Sequence, residues 1–181
     1  MNVLVIATCD VKPEEWEDFT KAAAIPPPFN QPEKPPLAPY VLVHCRDQDL
    51  QAGPMTKLSS TCETKFPNAT WADIRDFMRS IPNSHFKTLH SQFFMIFDDK
   101  SATERKITII SQMPEWVDKE GNEIEGGPAG MDPAEITKLI AWRRFRVPFD
   151  KTWDFWSLLD AKPGDESDEY LEGVEKETAS A

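Results

Sequence analysis

Asp10, His44 and Asp98 are the side chains of this sequence best placed to move protons. Each follows an apolar run of strand character: residues 3–8 lead into Cys9 and Asp10, 40–43 into His44 and Cys45, and 93–97 into Asp98 and Asp99. In open α/β sheets ligands bind in the crevice beyond the carboxyl ends of parallel strands, so polar groups gathered there carry chemistry more often than the same groups elsewhere. An imidazole can accept or donate a proton at neutral pH, and His44 stands just ahead of the carboxylates of Asp47 and Asp49. A Cys45 nucleophile activated by His44 fails on geometry, because neighbours along a strand point to opposite faces. His44 can instead meet Cys9 or Asp10 on an adjacent strand. His44, Asp10 and Asp98 are therefore the expected catalytic set.

Asp10, Asp98 and Asp99 lie close together if the first and third strands are parallel neighbours, and three carboxylates can hold a magnesium ion. Acidic residues at the start of a hairpin also serve turn geometry without any metal, and that plainer reading is preferred for Asp98 and Asp99. His44, His85 and His90 form neither H-x-x-x-H nor H-E-x-x-H, which argues against zinc. A glycine-rich phosphate loop, a dinucleotide fingerprint and G-x-S-x-G are all absent from the sequence. No metal and no cofactor is expected. Six tryptophans mostly supply core. Trp116, beside Glu115 and just ahead of a glycine-rich stretch, is positioned to line a pocket, and Trp153 and Trp156 form a second aromatic group. Trp116, Glu115, Trp153 and Trp156 are the expected substrate-binding residues.

The elements that must hold these residues follow from periodicity. Pro13 with Glu14 and Glu15 opens a helix whose apolar stripe is Trp16, Phe19 and Ala23. A proline-rich connector over 26–39 can be neither helix nor central strand. Thr70 with Asp73 caps a helix over 71–80, ended by Ile81-Pro82-Asn83. The runs 93–97 and 107–110 are separated by a largely polar segment of nine residues without a helical pattern, too few for a parallel crossover, so they should form an antiparallel hairpin. A glycine-rich loop covers 121–130. Asp132-Pro133-Ala134-Glu135 carries the signals of a helix start, and the spacing predicts a helix to Trp142, then an alternating strand over 143–149. An aromatic helix or turn follows Asp150, and residues 176–181 read as a disordered tail. The expectation is one α/β domain over residues 1–175, with a mixed sheet of about five strands, flanking helices and one β-hairpin.

The formal charge is −11, more than half of it carried by the acidic run 165–177. Such a surface repels phosphate backbones, and the basic cluster Arg143, Arg144 and Arg146 is better spent on carboxylates than on bases, so no nucleic-acid partner is expected. No apolar run approaches the roughly 20 residues needed to cross a bilayer, and no membrane partner is expected. Cys9, Cys45 and Cys62 are an odd number without C-x-x-C spacing, which suits a reducing compartment and a cytoplasmic location better than a disulfide framework.

The hairpin Phe93-Phe94-Met95-Ile96-Phe97-Asp98-Asp99 with Ile107-Thr108-Ile109-Ile110, followed by Arg144-Phe145-Arg146-Val147-Pro148-Phe149 and Trp153, resembles a family of short α/β proteins known as a domain of unknown function. The opening strand with Asp10 and the Trp16 helix, and Ser167-Asp168-Glu169-Tyr170-Leu171-Glu172-Gly173-Val174, are similar too, so the likeness spans roughly two thirds of the chain. The resemblance implies the fold and transfers no activity. Two functions stand on the residues: a cofactor-independent lyase, isomerase or cyclase acting on a largely apolar small molecule, or a noncatalytic ligand-binding or protein-interaction module. A homodimer is the other partner option.

Overall fold

In the computed structural model, residues 1–124, 127–161 and 170–178 are described. They form one mixed six-stranded sheet in the order β2-β1-β3-β4-β5-β6, comprising β1 (Val3–Ala7), β2 (Tyr40–Val43), β3 (Phe93–Phe97), β4 (Lys106–Val117), β5 (Thr137–Pro148) and β6 (Leu171–Thr178). β1 pairs in parallel with both β2 and β3, and the remaining pairs are antiparallel. β3 and β4 make the expected hairpin, turned by a short helix α3 (Ser101–Glu104).

The alternation of β1 divides the core. Val3, Val5 and Ala7 face α1 (Pro13–Ala22) and α4 (Thr152–Ala161), while Leu4 and Ile6 face α2 (Trp71–Ser80). Burial on both faces is why this strand reads as an unbroken apolar run. On the α1 side Phe19 packs against Tyr40, Phe97 and Phe149, and the Trp16 indole N–H donates to the Met55 carbonyl at 2.7 Å. On the other side α2 starts on a reciprocal cap, Thr70 with Asp73, and buries Ile74, Phe77 and Met78.

Three expectations are corrected. The sheet has six strands rather than about five. The helix expected from Asp132 to Trp142 is a single 3-10 turn, Pro133–Glu135, after which the chain extends into β5. Asp132 does cap that turn, accepting from the Ala134 N–H at 2.9 Å, but a start signal fixes only one turn. From Thr137 onward pairing with β4 over twelve register positions overrides a weak helical preference. Finally, residues 176–178, expected in a disordered tail, belong to β6 on the outer side of β5. Residues 179–181, and the acidic run over 165–169, lie outside the described residues. Among the described residues no helix is long and apolar enough to cross a membrane.

Candidate functional site

β1 leads leftward through α1 to β2, whereas β3 leads rightward into the hairpin with β4, so the loops after β1 and β3 part at their carboxyl ends. That divergence is the topological switch point at which α/β sheets hold ligands. A cleft of about 400 Å³ opens there, lined by Thr8, Cys9, Asp10, Thr64, Asn68 and Asp99, with Pro67 and Ala69 its apolar part.

The segment 62–66 builds one wall. Val11 and Cys62 exchange backbone hydrogen bonds at 3.0 and 2.8 Å, and the Thr64 hydroxyl donates to the Ala7 carbonyl. The Thr64 N–H donates to Asp10 Oδ1 at 2.9 Å, which orients that carboxylate, and the Lys65 N–H donates to the His44 carbonyl at 2.7 Å. The segment thus bonds to the end of β1 on one side and to the end of β2 on the other. β1 and β2 are adjacent as expected, with Ile6 opposite Val43, but His44 lines no part of the cleft. Among the described residues no hydrogen bond joins His44 to Asp10 or Asp98.

Cys9 sits at the centre of the acidic group. Burial pushes its thiol up first, and the charges of Asp98, Glu15, Asp99 and Asp10 add to that, to about 11. It is a neutral thiol at physiological pH, and its weak S–H donation to the Phe97 carbonyl at 3.9 Å fits that state. Burial raises the Cys45 and Cys62 thiols as well. The carboxylates do gather around one point, yet no group of three or more histidine, cysteine or acidic side chains among the described residues is arranged to hold a metal ion.

Asp98 is spent on structure. Its Oδ1 accepts from the Ser101 hydroxyl at 2.9 Å and the Lys100 N–H at 3.1 Å, while Oδ2 meets Arg146 Nη1 at 2.8 Å. Arg146, 11 % exposed, also binds Glu104 at 3.1 Å and the Thr108 hydroxyl at 3.1 Å, joining β3, α3, β4 and β5. Replacing Arg146 by Met should leave Asp98 and Glu104 as uncompensated neighbours and lower stability by about 1 to 2 kcal/mol, their partial exposure limiting the loss. Urea unfolding of the variant checks this, and an unchanged midpoint would show the network to be ornamental.

The expected substrate-binding residues lie elsewhere. β4 and β5 run on past the end of β3, which pairs only as far as Ser111, and carry Glu115 and Trp116 with them. Glu115 is a buried counterion, with Oε1 3.1 Å from Arg143 and Oε2 against Lys176 of β6. Burial pushes its carboxyl up, and the hydrogen bonds and charges of Lys176 and Arg143 more than offset this, leaving it below the usual carboxylate range. Trp116 lies under the Lys138 ammonium at 5.7 Å. Trp156 is core, packed on Phe93 and Trp153 at 5.3 and 4.5 Å, and Trp153 is half-buried beside it. None of the four lines the cleft at Asp10. Thr64 and Asn68 do line it. The one local signal for them is the Pro67-Asn68 turn, where Asn68 takes the left-handed conformation at φ 56°.

Comparison with protein-family models, with curated proteins and with solved structures gives no match to the chain.

Proposed function

We propose that this protein binds a small molecule in the cleft beyond β1 and β3 and acts on it by cofactor-independent proton transfer of the lyase, isomerase or cyclase type. Asp10 would serve as the base. The observation that supports it is the position of Asp10, whose carboxylate faces a cleft at the switch point and is oriented by the Thr64 N–H at 2.9 Å. A base needs geometry before it needs an altered pKa. Hydroxyl, amide and carboxyl groups make up most of the lining, with Cys9, Pro67 and Ala69 beside them, so the favoured substrate is small and polar, uncharged or cationic beside Asp10 and Asp99, rather than largely apolar. Three free cysteines suit a cytoplasmic setting.

The second reading is binding without catalysis, and it has its own support: His44 stands across the segment 62–66 from Asp10, and Asp98 is held by Arg146. One experiment separates the two. Neutral carbonyl and hydroxyl compounds are titrated while the backbone amide signals of Thr8, Cys9, Asp10, Thr64 and Asn68 are followed, and exchange of the proton next to the carbonyl is measured in deuterium oxide. Shifts accompanied by exchange support the enzyme. Shifts without exchange support the binding module. An undisturbed cleft across the whole panel overturns both.

A further inference from the structure

A second cleft, independent of Asp10, lies on the α2 face near the amino end of β3. It encloses about 370 Å³, the volume of roughly a dozen waters. Its floor is Phe94, Ile140 and Trp142 of the sheet, with Trp142 edge-on to Phe94 at 6.3 Å. The end of α2 and the following turn supply Met78, Ile81 and Phe86. Around this apolar ground stand the primary amides of Asn83, Gln92 and Gln112, the Ser91 hydroxyl and the Arg79 guanidinium. The backbone bond from the Gln112 N–H to the Gln92 carbonyl, 2.7 Å, fixes the two glutamines side by side. Their side-chain amides, and that of Asn83, make no hydrogen bond among the described residues. The lining holds no carboxylate and no imidazole, and its one charged side chain, Arg79, is not a free cation.

We propose that this cleft binds a flat, uncharged heterocycle of the nucleobase or nucleoside class. Side-chain amides offer a donor and an acceptor side by side, which matches the alternating edge of a base bidentately, and Phe86, the partly exposed aromatic of the lining, can stack on its face. A purely aliphatic ligand would desolvate those amides without replacing their hydrogen bonds with water, at a cost in affinity. The charge of −11 opposes a phosphate backbone, but a free base or nucleoside carries no phosphate, so the exclusion of nucleic acid does not extend to it. Without an acid or base in its lining the cleft serves binding and not proton transfer.

The test is isothermal titration of the whole chain with adenine, uracil, adenosine and uridine, repeated on Gln112→Leu, Phe86→Ala and Asp10→Asn. Gln112 is half-buried at the rim and Phe86 is half-buried in the short 3-10 helix Asn83–Lys87, so both variants should fold, and circular dichroism verifies it. Expected is saturable binding of at least one probe, weakened at least about tenfold by Gln112→Leu and weakened by Phe86→Ala. Asp10→Asn should leave it unchanged. Failure of every probe to bind at about 1 mM overturns the proposal. So does binding that survives both cleft variants, or that is lost only with Asp10→Asn.

Discussion

Asp10→Asn should slow turnover by about 10² to 10⁴ while leaving the fold intact, the effect expected when a general base is removed. The two readouts separate because of how Asp10 is held. It is exposed, and among the described residues its one hydrogen bond is the Thr64 N–H accepted through Oδ1. An asparagine keeps an oxygen acceptor at that position and loses only the basicity. The melting temperature should therefore move by no more than the about 1 kcal/mol usual for a surface polar change, roughly 2 to 4 °C at this size. His44→Ala is the companion measurement, since His44 lies outside the cleft and should retain the rate. A folded Asp10→Asn protein with full exchange activity would remove the base from the mechanism. An inactive His44→Ala would return the imidazole to it, and would require the segment 62–66 to move aside in the working state.

The parts of this arrangement that sequence revealed are those written locally. β1, β2 and β3 are continuous apolar runs because packing covers both of their faces, although β2 is an edge strand, and Thr70 with Asp73 marks α2 through a cap that spans three residues. β1 and β3 are parallel neighbours as expected, and Asp10 and Asp99 both line the cleft at their carboxyl ends. What failed depends on partners distant in the chain. Nothing between residues 62 and 66 shows that Cys62 will pair with Val11, and that bond is what inserts a wall between His44 and Asp10. The turn role of Asp98 was legible, but its ion pair was not, because the counterion, Arg146, is 48 residues away. The start of β5 looked helical because twelve positions of pairing to β4 leave no trace in its own residues. Residues 176–178 of β6 looked like part of a disordered tail, since the carboxylate that receives Lys176 lies on β4.

That last contact makes the end of the chain structural. Ending the chain after Val174 removes Glu175 and Lys176, which pair with Trp142 and Ala141 on β5, and takes the ammonium from Glu115. The Glu115 side chain is 4 % exposed, so its charge cannot be handed to water, and Arg143 alone must hold it. Stripping a partner from a buried ion costs about 3 to 5 kcal/mol, and the remaining guanidinium places this case near the low end, at about 3 kcal/mol. For a chain of this length that is a fall of roughly 6 to 12 °C in melting temperature. Lys176→Met should reproduce most of it, because it strips the same ammonium from Glu115 while the strand remains. Glu115→Gln isolates the ionic part through pH. The folded carboxyl is held below its ordinary value, so its contribution is complete above the unfolded carboxylate range, about 4.3, and is lost as pH falls through the lowered folded value. The stability gap between wild type and Glu115→Gln should hold steady from about pH 8 to pH 5 and close below about pH 4. A truncated chain that melts with the full-length protein, or a gap that widens in acid, would mean that β6 is not anchored through Glu115.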